Sequence, residues 1–168
     1  MTSEPAIEPA TRDDLETIAE LWVRLARGQR EYGSAVRAGR NRETMRETLG
    51  AHLHADGLLV ARVEGTIVGF ASFSIERGSL DLDTTRGVLS NLYVEPAHRG
   101  RGIGTALLTA VEAELADQGA ETLLLEVMAD NEDAREFYRT QGYDEFRIGM
   151  SRSIGDRSEN DTHSKEDG

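Results

Sequence analysis

The chain has 168 residues and no cysteine, the size of a single domain with a real core, and it excludes disulfides, thiolate metal sites and an acyl-cysteine intermediate. A formal net charge of −12 argues against nucleic-acid binding through a basic face. No apolar run approaches the roughly 18 residues of a membrane helix. Met1 to Pro5 lacks the basic start and apolar core of a secretory signal, so a cytoplasmic protein is expected. The acidic charge has two readings: a solvated surface suited to high salt, or steering of cationic amines toward a site. The first needs no special geometry and ranks ahead.

In chain order, Ala6 to Ala10 reads as a strand. Thr11 and Asp14 have capping-box spacing, with Asp13 and Asp14 where a helix dipole favours acid. Leu15, Ile18, Leu21, Trp22 and Leu25 then recur at helical spacing. Gly28 and Gly33 bracket a polar turn, and a second helix from about Asn41 to His54 turns Met45, Leu49 and Leu53 inward. Leu58–Val63 and Ile67–Ile75 form a hairpin about Glu64-Gly65-Thr66. After a polar stretch, Val88–Val94 is the next strand. Ile103 to Gln118 is a long helix, with Gly119 where a left-handed cap is wanted. Thr122–Met128 is a strand. Asp130 or Asn131 then opens a short helix that carries Phe137 and Tyr138 and stops at Gly142. Tyr143–Ser151 reads as the last strand. Residues 153–168 are polar and predict a disordered tail, which leaves 1–152 as one domain. The class is α/β, a mixed sheet of six to seven strands with helices on both faces.

The chemistry is concentrated between the fourth strand and the long helix. Leu92-Tyr93-Val94 ends at Pro96, and Arg99-Gly100-Arg101-Gly102-Ile103-Gly104-Thr105 follows. Bare backbone feeding a helix N-terminus is an anion site, because free N–H groups converge there and the dipole favours negative charge. Arg99 and Arg101 add forked donors suited to phosphate. The Walker pattern requires Gly-Lys-Ser/Thr, which is absent, and the dinucleotide fingerprint requires glycine where Thr105 stands.

Arg99 to Gly104, with the strand before it and the helix after it, resembles the Gln/Arg-x-x-Gly-x-Gly/Ala signature of the GNAT superfamily of acetyl-CoA-dependent N-acyltransferases. The predicted order of elements is also that of the GNAT fold. The resemblance implies that Gly100 to Thr105, with Arg99 and Arg101, hold the pyrophosphate of acetyl-CoA. It implies that the backbone of Leu92, Tyr93 and Val94 pairs with the pantetheine arm, in a slot where this strand splays from the next. Asn131, which by itself reads as a helix cap, is a further pantetheine contact on this resemblance. His98 reads as a surface turn residue.

Leu123 to Tyr143 resembles the family's other motif and is nearest to the ribosomal-protein alanine N-acetyltransferase branch. There a strand Glu and a helix Tyr twelve residues later act as base and acid, and Glu126 and Tyr138 stand at those positions. From its own position Glu126 is equally a solvent-facing strand residue, and Tyr138 equally a core aromatic. Because Phe137 must point about 100° away from Tyr138, one ring is expected in the core and the other free. Some branches place the base early in the central strand, but Gly87 to Asn91 holds no acid; Ser90 and Asn91 offer only groups to position a water. Trp22, Glu31 and Tyr32 are conceivable acceptor contacts, with ordinary core and surface roles ahead of them.

The resemblance thus implies acetyl transfer from acetyl-CoA to a primary amine in a ternary complex, without a metal. The acceptor is a protein N-terminus or a small amine; no nucleic acid or membrane partner is expected, and a homodimer is open to it. The alternative is a non-catalytic acyl-CoA-binding or sensing module.

Overall fold

The computed structural model describes residues 4–155. Five strands form one sheet in sequence order: β1 (Ala6–Pro9), β2 (Leu58–Val63), β3 (Thr66–Ile75), β4 (Arg86–Val94) and β5 (Thr122–Leu125). Strands β1 to β4 pair antiparallel, and β5 joins β4 in parallel. Four α-helices accompany them: α1 (Leu15–Arg30), α2 (Arg42–His54), α3 (Ile103–Asp117) and α4 (Glu132–Thr140). The β4–α3–β5 connection supplies the crossover that a parallel pair requires.

The two helical layers follow from periodicity. In α1, Leu15, Ile18, Leu21, Trp22 and Val23 are buried on one stripe, where they meet Leu49 of α2 and Val60 and Phe70 of the sheet. On the opposite face, Ile103, Leu107, Val111 and Leu115 of α3 pack on Leu59, Ala61, Ala71, Phe73 and Leu89. Alternation along β2 sends Val60 to one core and Leu59 and Ala61 to the other. The Thr11–Asp14 capping box is present: Asp14 Oδ2 accepts the Thr11 N–H at 2.8 Å and the Thr11 hydroxyl at 3.1 Å. It opens a short 3-10 turn that leads into α1.

Three expectations are corrected. The polar turn bracketed by Gly28 and Gly33 begins later, because α1 runs through Gly28 to Arg30; one exposed glycine costs a helix only about 1 kcal/mol, which the buried stripe outweighs. The strand expected over Thr122–Met128 ends at Leu125. The strand expected over Tyr143–Ser151 is absent, so the sheet has five strands rather than six to seven. The alternation is there, but Phe146, Ile148 and Met150 are 62%, 76% and 93% exposed. A strand exists through its ladder partner, and the four-residue β5 pairs with β4 alone. Of the expected 153–168 tail, 153–155 are exposed without regular structure, and 156–168 lie outside the described residues.

The sheet is not a uniform ladder, and its irregularity builds the site. β4 pairs with β3 as far as Val94 but with β5 only over Arg86–Leu89. At the point of divergence the β3–β4 register slips: Ser72 faces Asn91 and Phe73 faces Leu89, so Ser90 is an extra residue in β4. Such a bulge bends and twists its strand. Asn91 holds it in place by donating from Nδ2 to the hydroxyl of fully buried Ser72 at 2.8 Å.

Candidate active site

Beyond Leu89 the β5-facing edge of β4 is open. The Glu95 N–H donates to the Val68 carbonyl at 2.8 Å. Antiparallel pairs alternate between bonded and non-bonded, so the backbone groups of Leu92 and Val94 point away from β3 into this opening, while those of Tyr93 point to β3. Close approach confirms the register: a Cβ on Gly69, opposite Val94, would sit 2.7 Å from the Tyr93 carbonyl oxygen.

A cavity of about 890 Å³ occupies the opening. The β4 segment Leu92–Glu95 forms its floor. One wall is the second half of α1 and the turn that follows it, from Arg24 to Tyr32. Another is the loop into α3, and the last is α4 with Asn131, Phe137 and Tyr138. Of the cofactor residues expected from sequence, Leu92, Tyr93, Val94, Arg99, Gly100, Gly102, Ile103, Gly104, Thr105 and Asn131 all line it. Arg101 is exposed and does not.

Gly100 and Gly102 have φ of +77° and +83°, a region that favours glycine, and a Cβ on either would meet nothing within 4 Å. Gly102 is the N-cap of α3 and provides no side-chain cap. The first N–H groups of α3 therefore face a concave, side-chain-free hollow at the positive end of the helix dipole, which is the donor set a pyrophosphate requires. In the same wall His98 Nδ1 is buried with no hydrogen-bond partner among the described residues. An orphaned polar atom beside a bare helix N-terminus fits a site built to receive a polar ligand. Arg99 lies across the end of β4; its Nε donates to the Val94 carbonyl at 2.8 Å and its guanidinium stands 5.6 Å from the Tyr93 ring centre. Thr105 Oγ1 accepts from Gln141 at 3.2 Å, tying the cradle to the end of α4. Asn131 caps α4 by accepting from the Ala134 N–H at 3.1 Å, and it lines the cavity as well.

The structure separates the two residues expected to do the chemistry. Tyr138 lines the cavity, and burial pushes its phenol up to about 12. Phe137 lines the cavity too and packs against Gly104, so the expected division into one core ring and one free ring is not realised. Glu126 is exposed, immediately past the end of β5, and is not among the lining residues.

The carboxylates that do line the cavity are Glu31, Glu95 and Asp133. Glu31 was among the acceptor contacts considered from sequence; Trp22 is buried in the α1 core. Glu95 is held by an ion pair with Arg24 and by the Tyr93 hydroxyl at 3.0 Å. Burial and this bond together raise the Tyr93 phenol. Sequence reasoning passed over Glu95 and Arg24. The available signal was adjacency, since Glu95 directly follows the donor strand, but its partner lies 71 residues away. Asn91, considered for positioning water, is instead engaged with Ser72.

Residues 17–143 match the acetyltransferase (GNAT) family. N-alpha-acetyltransferase RimI of Mycobacterium tuberculosis is 32% identical over 151 residues, covering 90% of this chain and 84% of that protein. An uncharacterized N-acetyltransferase of Methanocaldococcus jannaschii is 29% identical over 145 residues, which span 84% of this chain and 62% of that longer protein. The crystal structure of a GCN5-related N-acetyltransferase from Ralstonia eutropha superposes with a TM-score of 0.70 at 27% identity, over 89% of this chain and 98% of that one. The donor hollow, the splayed strand and these likenesses converge: the chain belongs to the acetyltransferase (GNAT) family, as an acetyl-CoA-dependent N-acetyltransferase domain.

Proposed function

We propose that the protein moves the acetyl group directly from acetyl-CoA to a primary amine, a protein N-terminus or a small amine, in a ternary complex. The observation that carries this reading is the continuity of one cavity from the α3 N-terminus, along the open edge of β4, to the α1 wall. Donor and acceptor then meet without a covalent enzyme intermediate, and the chain has no cysteine to form an acyl-thiol one.

The amine must lose a proton before it attacks. Glu95 is not free to approach the amine, because its oxygens are already engaged by Arg24 and Tyr93. We assign the task to Glu126, whose exposure suits relay through water. Attack on the thioester carbonyl forms the new C–N bond and an oxyanion, and an N–H on the open edge near Val94 stabilises that charge. Collapse breaks the C–S bond, and the proton that the attacking nitrogen sheds on forming the amide passes through water to the departing CoA thiolate. With its phenol near 12, Tyr138 stays protonated throughout the working range and presents an O–H to the departing sulfur. Full transfer to a thiolate of ordinary pKa, about 8.5, is uphill by roughly 3 to 4 units. Tyr138 therefore serves first as a hydrogen-bond donor to the developing charge.

Turnover by Glu126→Gln and Tyr138→Phe, measured as thiol release with acetyl-CoA affinity in parallel, tests the assignment. Each substitution is expected to slow turnover about 10²-fold or more with affinity retained. Unchanged rates would remove the residue from the chemistry.

A further inference from the structure

The α1–α2 junction carries a concentration of charge apart from the residues expected to hold acetyl-CoA. Beside the main cavity lies a second hollow of about 520 Å³, lined by Arg27, Arg30, Arg37, Ala38, Gly39 and Arg40. Four of these six residues are arginines and none is acidic. Arg27 lines both cavities, so the second opens beside the first along α1.

The arrangement is built rather than incidental to a loose loop. Arg30 Nη1 donates to the Val36 carbonyl at 2.8 Å, and Asn41 Nδ2 donates to the Arg37 carbonyl at 2.9 Å. Ala38 is buried in the α1–α2 core and pins the loop between its flanking arginines. A Cβ on Gly39 would lie 3.9 Å from Arg27 Nη2, so that guanidinium rests against bare backbone.

Seven of the other described arginines are neutralised; Arg12, Arg77, Arg99, Arg101, Arg147 and Arg152 form no ion pair among the described residues either, but none of them lines this hollow. Arg24, Arg42, Arg46, Arg62, Arg86, Arg135 and Arg139 each have a carboxylate within 4 Å. Arg27, Arg30, Arg37 and Arg40 form no ion pair among the described residues, in a chain where acids outnumber bases 31 to 19. Arg27 and Arg30 sit in the last turn of α1, where the dipole favours cations. That accounts for two of the four and leaves the loop arginines Arg37 and Arg40 unexplained.

We propose that this hollow binds carboxylates of the acceptor, which is a peptide N-terminus followed within two to four residues by acidic side chains. The inference rests on the reading of the adjoining cavity as the acetyl-transfer site. From Arg24, at the inner wall, to Arg30 is six helical residues, about 9 Å; an extended peptide covers that span in about three residues. An open shelf with charge spread over two arginine pairs suits an extended chain. The overall negative charge does not prevent this, because at physiological salt the screening length is about 8 Å and the local patch dominates.

The test is thiol release from acetyl-CoA with peptides that share an N-terminal residue and carry Asp/Glu, Asn/Gln or Lys at positions two to four. The acidic series is expected to exceed the amide series about tenfold in kcat/KM, through KM, in keeping with two or three exposed ion pairs. The advantage should shrink between 50 and 500 mM NaCl. Arg37→Glu combined with Arg40→Glu should reverse the order, so that the Lys series leads. Equal kcat/KM for the acidic and amide series overturns the proposal, as does a preference that survives the double charge reversal. The wild-type comparison decides even if the double variant unfolds. Absence of thiol release from every peptide, with acetyl-CoA still bound, overturns the peptide acceptor and leaves the donor site standing. Failure to bind acetyl-CoA instead overturns the reading beneath it.

Discussion

Tyr138 shows how one side chain acquires a role from its surroundings. Its neighbours are apolar and aromatic, with Phe137 at 5.1 Å and Tyr143 at 5.8 Å between ring centres, and burial alone lifts its phenol to about 12. A group titrating there imposes no limb on the rate profile near neutrality. The pH dependence of kcat/KM is therefore expected to keep its shape in Tyr138→Phe while its amplitude falls; a limb that vanished with the phenol would contradict this. Gly102 is the other residue on which the site turns. Its φ of +83° disfavours any side chain, and a Cβ there would project into the open hollow at the α3 N-terminus. Gly102→Asp adds strain and a negative charge at an anion site, and is expected to weaken acetyl-CoA binding at least 100-fold by calorimetry. Arg101→Ala, at an exposed position outside the cavity wall, should cost less than tenfold.

At the scale of the element, β4 decides the site and the start of α1 anchors the cavity wall that α1 forms. The Ser90 bulge and the Asn91–Ser72 bond separate the half of β4 that pairs with β5 from the half left open. At the start of α1, Asp14 accepts from Arg62 Nη2 at 2.7 Å besides closing the Thr11 capping box. Burial acts to raise this carboxyl, but the hydrogen bonds from Arg62 and Thr11 outweigh it and hold the pKa below its ordinary 3.8. A depressed folded-state value stabilises the fold above the unfolded pKa. That contribution is lost as pH falls through the folded value, which places the loss below about pH 4. Asp14→Asn is expected to cost about 1–3 kcal/mol at neutral pH. In urea titrations between pH 6 and pH 2.5 it should also flatten the acid limb of stability relative to the wild type.

Across the whole molecule, a net charge of −12 opposes compaction through self-repulsion. Added salt screens that repulsion more than it weakens the scattered surface ion pairs, each worth about 1 kcal/mol or less. The thermal midpoint is expected to rise by several degrees between 50 and 500 mM NaCl, and a fall in differential scanning calorimetry would show that the ion pairs outweigh the excess charge. Among the described residues no helix is long and apolar enough to cross a membrane, and no cluster of ligating side chains is placed to hold a metal ion. The molecule thus presents one continuous cavity from the α3 N-terminus to α1 on an acidic body, with an arginine-lined hollow beside it at the α1 end.

Sequence by itself determined the elements that rest on local chemistry. These include the capping box of Thr11 and Asp14, the α1 and α3 stripes, the Glu64-Gly65 turn, and the Gly100–Gly104 cradle opening a helix. In each case the signal and its cause lie within a few residues. It was equally sufficient for the strand that ends at Val94, since its apolar β-formers and the following proline mark it. Only tertiary structure decided the rest, because the deciding partner lies far along the chain. Whether Tyr143–Ser151 becomes a strand depends on an edge that β5 does not extend to it. Glu126, just past the end of β5 at Leu125, is exposed and does not line the cavity. Glu95 is spent on Arg24. Four arginines from a helix end and a loop share one hollow only because Ala38 is buried against α1.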